Sequence, residues 1–407
     1  MQPDRRIVFA CFCAAAPLLA AVAVGGQENG LTIEQARLCV TGFDHNRPDP
    51  FPGLGDFVGW PGGLERMPDG ELLLTHSAGY WHVSFAEPRS IEPTTRKRWT
   101  ADAWPLDHPA PTGGRTMACR SSDSGRTWSK PFTIIDHQLD DGPHALLTCR
   151  DGTVLCFGAV QASWYGYRQA PQRFQGDIDG LNTKQFVLRS TDGGRNWSDP
   201  VWLDSPGDFY ERAHGGRPLE LEDGGILWAT YYQQSGAKYL RGAIRRSDDS
   251  GRTWQVVSTI ERADNSIDEP GIAQLQDGRL MLVTRPDGAV FHSADGGSTW
   301  SDSGSRIVPE PTFKAPQLIV LKDGTIVVVA TWRNLRIWIS TDAGLTWTDD
   351  IPLDTSSYGY PGSFIVDEDE SILLPYCASG RAPNRVYVVR FRVNAARDGI
   401  ELLPVSK

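Results

Sequence analysis

The stretch Ser121-Ser122-Asp123-Ser124-Gly125-Arg126-Thr127-Trp128 decides the fold, because it returns four more times. The copies begin at Ser190, Ser247, Ser293 and Ser340, and end at Trp197, Trp254, Trp300 and Trp347. All follow Ser-x-Asp-x-Gly-x-Thr/Asn-Trp, with the aspartates at 123, 192, 249, 295 and 342. Internal repetition of this kind is the signature of a repeat architecture. An Asp followed two residues later by Gly lets the carboxylate accept local backbone N–H groups while Gly takes φ > 0. The closing Trp packs the turn onto the next strand. The motif is thereby an architectural one, and its five aspartates are read as structural.

A second repeat runs in step with the first. Asp69-Gly70, Asp151-Gly152, Asp223-Gly224, Asp277-Gly278, Asp323-Gly324 and the acidic turn Glu368-Asp369-Glu370 are each followed by a short apolar run. Asp-Gly between apolar segments is a strong hairpin signal. Six hairpins predict six blades of an all-β propeller, each with an inner strand, an Asp-Gly turn, two further strands, the Ser-to-Trp motif and an outer strand. The last blade lacks the motif, and Arg385 to Val393 is its third strand. Residues 31–42 read as a strand that closes the ring. Long insertions fall after the second strands of the first two blades, at residues 76–115 and 158–183, on one face. A two-residue loop at Asp151-Gly152 would pair residue 149 with 154, leaving Cys149 and Cys156 diagonal and unsuited to a disulfide.

Arg5-Arg6, the apolar run Ile7 to Val24 and the small-residue site Ala21-Val22-Ala23 make residues 1–25 a signal peptide. The expectation is an exported protein, periplasmic or extracellular, with residues 26–407 as one domain, monomeric, and no membrane insertion after cleavage. The five cysteines beyond residue 25 have no metal-ligand spacing. The formal charge of −10 argues against nucleic acid as a partner.

The residues of chemical interest lie before the hairpins. Seven or eight residues ahead of each turn acid stand Pro61, Pro143, Gly215, Pro270, Pro316 and Pro361, preceded by Trp60, Gly142, His214, Glu269, Ala315 and Tyr360. These open the innermost strands, which surround the axis, so spacing alone gathers Trp60, His214, Glu269 and Tyr360 at one mouth.

The Ser-to-Trp motif is the Asp-box, and residues 50–390 resemble the sialidase superfamily of six-bladed β-propellers. The resemblance implies a Tyr nucleophile activated by a Glu. The matching positions are Tyr360 in Gly359-Tyr360-Pro361-Gly362 and Glu269 in Asp268-Glu269-Pro270-Gly271. It also implies arginines that clamp a substrate carboxylate. Arg285 matches the second of them and Arg333 the third, with Arg336 a competitor for the third place. The first arginine is missing: Gly59 stands there, beside Trp60, which suits stacking on a sugar ring. Arg212 is a spare cation for the lost place. The family's general acid is an Asp on the first long insertion, where this chain has Asp102 and Asp107. His76 or His82 are alternatives for acid/base work, and Glu211 is a further one. Trp164-Tyr165-Gly166-Tyr167-Arg168 reads as a sugar-stacking wall.

The resulting expectation is an exo-acting glycoside hydrolase acting on a terminal acidic sugar of a glycan, requiring no metal or other cofactor. The rivals are a polysaccharide lyase and a non-catalytic glycan-binding propeller.

Overall fold

A computed structural model describes residues 30–42, 57–79, 114–137, 140–161, 183–208, 210–214, 216–356, 358–378 and 385–405. The predicted signal peptide, residues 1–25, lies outside them. So do Asp102, Asp107, His82 and the Trp164–Arg168 segment.

Six antiparallel sheets are present, and each follows the predicted order of strands. Blade one runs Phe57–Arg66, Leu72–Gly79, Arg115–Ser121, Phe132–Ile135. Blade four, which carries Glu269, runs Asp268–Gln274, Leu280–Arg285, Ala289–Ser293, Ser301–Arg306. Blade five runs Lys314–Val320, Ile326–Trp332, Asn334–Ser340, Ile351–Asp354. In blades three and six the inner edge is broken into two short pieces, Tyr210–Arg212 with Leu219–Glu220 and Tyr360–Pro361 with Ile365–Val366.

The hydrophobic core is divided in the same way. Each of six buried clusters draws residues from two adjacent blades, such as Leu64, Leu72 and Leu74 of blade one against Ile365, Leu373 and Val388 of blade six. The ring is therefore closed by apolar contact all the way round. Arg37–Gly42 pairs with Arg385–Val393, as the sequence predicts, and Arg37 Nη1 reaches Asp354 Oδ2 of blade five at 2.6 Å. The stretch before it differs from the expected strand. Ile33–Ala36 is one helical turn, because Thr32 and Gln35 form a reciprocal capping box.

The Asp-Gly turns hold one detail that the sequence reading misjudged. Cys149 N–H donates to Thr153 O and Gly152 N–H to Cys149 O, so residue 149 faces 153 rather than 154. Gly152 sits at φ 83°, giving a three-residue loop with a left-handed last position instead of a two-residue loop. Both cysteines are buried free thiols, as are Cys119 and Cys377. In the sixth turn Glu370 takes the left-handed place of glycine, at φ 61°.

The Asp-boxes are turns between third and outer strands. In the first, Ser121 Oγ donates to Asp123 Oδ1 at 2.8 Å, and Thr127 N–H and Oγ1–H donate to the same carboxylate at 2.8 and 2.6 Å. Those bonds hold the Asp123 carboxyl down to about 2. Strand direction puts the boxes at the Asp-Gly end of the blades. A Cβ on Gly194 would meet Leu73, and one on Gly251 would meet Leu155, each just past the Asp-Gly turn of the preceding blade. The boxes are thus wedges between blades, at the end opposite the inner-strand starts.

At the mouth, the residue after the inner-strand proline touches the next blade. A Cβ on Gly271 would lie 2.7 Å from Pro316 O, and one on Gly362 would lie 2.5 Å from Pro61 O. Glycine there draws the strand starts together around the axis.

Candidate active site

Glu269 has φ 46°, and its counterparts Trp60 and Ala315 have φ 43° and 51°. At all three the strand register slips by a bulge, between Asp268 and Gly271, Gly59 and Pro61, and Lys314 and Gln317. Bulges and left-handed non-glycine residues re-aim side chains and collect at functional sites. Here they turn the first side chain of an inner strand toward the axis.

Glu269 is 5% exposed, and its carboxylate is saturated with donors. Oε1 accepts the phenol O–H of Tyr360 in a very short hydrogen bond, and also Arg285 Nη1–H at 3.1 Å. Oε2 accepts the Ala315 amide at 2.8 Å. Burial works to raise its pKa, but Arg285, His214, the phenol and the amide outweigh burial and hold it below the ordinary value. Glu269 is therefore an ionised base in contact with a phenol. Burial and the Glu269 charge push Tyr360 well above its ordinary value, so its oxygen stays protonated until a reaction removes the proton.

Arg285 bridges two carboxylates. Its Nη1 meets Glu269, and its Nε lies 3.4 Å from Asp268 Oδ2. Burial opposes the guanidinium's charge, yet the two carboxylates outweigh it and hold Arg285 above its ordinary value. The His214 ring lies edge-on to Tyr360, with centroids 4.4 Å apart. Burial brings His214 down to about 4, leaving a neutral imidazole at the phenol. Arg212 is partly buried on the same side, and its charge acts on His214, His144 and Asp268. Trp60 is partly exposed at the start of blade one's inner strand.

Other candidates stand elsewhere. His76 is 1% exposed inside blade one, with Nδ1 at 3.2 Å from Ser77 O and Nε2 at 4.0 Å from Cys119 Sγ. Burial lowers it to about 4. The expectation that His76 serves at the site, in acid/base work or in binding substrate, is corrected: it is a sealed strand residue, 1% exposed. Glu211 is also removed as an acid/base group, since it is 1% exposed and grips Arg245 with both oxygens at 2.8 Å. Arg333 sits at the tip of the blade-five hairpin at φ 66°. Its side chain is 62% exposed, stacks on Trp332 at 4.5 Å and faces Glu310 at 3.6 Å. Among the described contacts none joins it to Glu269, Tyr360 or Arg285. Its competitor Arg336 is bound to Asn334 and Asp350.

Four residues of the site were missed in the sequence. Asp268 shares Arg285 with Glu269. The Lys314 ammonium lies 5.2 Å from the Tyr358 ring, which in turn stacks on Tyr360 at 6.4 Å. Lys314 has no carboxylate partner among the described residues. His144 is 6% exposed, and neither ring nitrogen has a hydrogen-bond partner. Asp268 and Lys314 were detectable in principle, because each directly precedes a mouth-opening residue, Glu269 or Ala315.

Residues 145–373, more than half of the chain, match the BNR repeat-like domain family. A Bacteroides fragilis sialidase is 26% identical over 288 residues, covering 61% of this chain and 52% of the relative. A Micromonospora viridifaciens sialidase is 29% identical over 275 residues, covering 63% and 41%. The chain thus spans about half or less of the length of these curated relatives. Among solved structures, the Hadza microbial sialidase Hz136 aligns with a TM-score of 0.62 at 19% identity, over 83% of this chain and 66% of that one. At that identity the likeness speaks to the fold alone. Repeat, six-blade ring and matched domain together make this chain a member of the BNR repeat-like domain family, within the sialidase superfamily of six-bladed β-propellers.

Proposed function

We propose that this protein is an exo-acting, retaining glycoside hydrolase that removes a terminal acidic sugar from a glycan. The observation that carries the reading is the Tyr360 phenol donating to the ionised Glu269 carboxylate. In the first step the Tyr360 oxygen forms a bond to the anomeric carbon as the bond to the leaving oxygen breaks, Glu269 takes the phenol proton, and a general acid, for which Asp102 and Asp107 are the candidates, protonates the leaving oxygen. Water then attacks the anomeric carbon and gives its proton back to that acid, the bond to Tyr360 breaks, and Glu269 returns the phenol proton. His214 is neutral over the working range and packs the edge of the phenol without adding charge.

Arg285 is bonded to Glu269, the charge of Arg212 acts on neighbouring Asp268, and Lys314 lies against Tyr358, which stacks on Tyr360. These three suit an anionic group on the sugar. Trp60 supplies a face for the ring. The pairing of Tyr360 with Glu269 favours hydrolysis over a purely binding role, for which the two groups need not meet. With Gly59 in the first arginine's place and Arg333 turned to Glu310, sialic acid is one candidate among acidic sugars.

The test is a panel of aryl glycosides that includes the sialoside and uronides, run on wild type and Tyr360→Phe. Release of the aryl group by wild type and its loss in the variant support the reading. Undiminished turnover in Tyr360→Phe removes Tyr360 as nucleophile. Unsaturated products absorbing in the ultraviolet would instead point to a lyase.

A further inference from the structure

Strand direction puts the hairpin between Ile326–Trp332 and Asn334–Ser340 on the mouth face of blade five. Trp332 pairs with Asn334, so Arg333 alone makes the turn. Its φ of 66° lies in the region that favours glycine, and the blade-four hairpin places Gly288 there at φ 69°. The turn does not call for an arginine, and a left-handed residue that the backbone does not require points to function. Nor is its side chain bound up as nearby arginines are. Arg285 holds Asp268 and Glu269, Arg262 holds Asp264 and Asp287, and Arg336 holds Asp350. Arg333 lies over the Trp332 ring at 4.5 Å. Its ion-pair partner among the described residues is Glu310, at 3.6 Å, with both side chains more than half exposed. Water screens such a pair, so an arriving anion can displace Glu310. The Trp332 ring is itself edge-on to Trp338 at 6.3 Å, so the guanidinium has a fixed support before any ligand arrives. A guanidinium on a ring face keeps its N–H edge for a carboxylate or sulfate.

This ledge is continuous with the reacting pair. Thr331 Oγ1–H donates to the Gly359 carbonyl, directly before Tyr360, in a very short hydrogen bond. On the other side Phe313 N–H donates to Pro286 O at 2.9 Å, directly after Arg285. Arg333 stands two residues past Thr331, about 7 Å further along the strand. That is a step of one sugar beyond the sugar that reacts with Tyr360.

We infer that the Trp332–Arg333 ledge on the rim of blade five binds an anionic group, a carboxylate or a sulfate, on the sugar that leaves. The inference rests on the hydrolase reading above. The substrate is then a glycan whose second sugar is acidic, with the terminal sugar over Tyr360 and the next one on blade five. Glu310 is the counter-ion that the substrate's anion replaces.

The test uses disaccharides in which the terminal sugar that the panel identifies is linked to glucose, to glucuronic acid or to a sulfated glucose. Wild type should show a KM about tenfold lower for at least one of the two anionic disaccharides than for the neutral one. Arg333→Met should remove that preference, raising KM for the preferred disaccharide by about tenfold with kcat nearly unchanged. Its KM for the neutral disaccharide and for the aryl glycoside should move by less than about threefold, which also shows that the variant is folded. A preference for one anion over the other supports the inference and names the group that the ledge takes. Equal KM values for all three disaccharides in wild type, or a preference that survives in Arg333→Met, overturn it while leaving Tyr360 and Glu269 in place. If wild type cleaves no glycoside of the panel, the hydrolase reading fails by itself. Titration calorimetry of the same disaccharides, with sialic acid and glucuronic acid as terminal sugars, then decides the ledge. Tighter binding of an anionic disaccharide that is lost in Arg333→Met supports it, and equal or absent binding overturns it.

Discussion

Tyr360 of blade six donates its phenol proton to Glu269 of blade four, 91 residues earlier in the chain and across the mouth of the ring. Each has a partner in its own blade, Arg285 for Glu269 and Tyr358 for Tyr360, but neither of these joins the two blades. Six sheets must close before the two meet, so the contact reports on the whole ring.

A pair that acts as a unit should fail as a unit. Tyr360→Phe and Glu269→Gln should each lower kcat by about 10²–10⁴-fold. The double variant should be no more than a few-fold worse than either single one. Steady-state rates on the aryl glycoside found active provide the check, and fully multiplicative losses would show that the two act independently.

The cations at the mouth should separate by their placement. Lys314→Met should raise KM for an anionic aryl glycoside by about tenfold and leave kcat nearly unchanged, the signature of lost uniform binding. Arg333→Met should change KM by less than about threefold, since its side chain is 62% exposed and occupied with Trp332 and Glu310. The reverse order of effects would return the substrate's acidic group to Arg333.

The Glu211–Arg245 pair is closed to solvent, at 1% and 2% side-chain exposure. Arg245→Met alone should cost about 3–5 kcal/mol, because it strands a buried carboxylate. Adding Glu211→Met should recover part of that loss. Urea midpoints of the two single variants and the double variant measure both effects, and equal destabilisation by the single and double variants would contradict them.

Acid should weaken the fold through its buried histidines. His76 and His214 are lowered to about 4 by burial, against 6.5 in an unfolded chain. Between those values the unfolded chain binds protons that the native protein refuses, so stability falls as pH drops from about 6.5 toward 4. Replacing His76 by Met should flatten that fall by one residue's share. Denaturation midpoints at pH 7 and pH 5 decide it, and an unchanged difference between the two would show that His76 does not contribute.

Much of the site was legible because a propeller repeats its geometry. Tyr360, Glu269 and His214 were found by counting back from Asp-Gly turns, and they lie together. His76 was misread because its segment looked like the start of an insertion. Its place is the paired end of Leu72–Gly79, where it faces Pro61 across the sheet. Arg333 matched by spacing from its Asp-box, but spacing along a hairpin does not set which way a tip residue turns. A left-handed backbone at φ 66° and the ring of Trp332 set its direction, and its ion-pair partner is Glu310.

The amino-acid order by itself determined the number of sheets, the turns that join them and the residues that head each inner strand, because these depend on contacts a few residues long repeated six times. Only tertiary structure decided which heads touch, that one arginine holds two carboxylates, and that Glu269 rather than Asp268 collects the donors. Those outcomes depend on bulges at the axis and on side chains arriving from blades three, five and six. No stretch of chain around Glu269 carries that information alone.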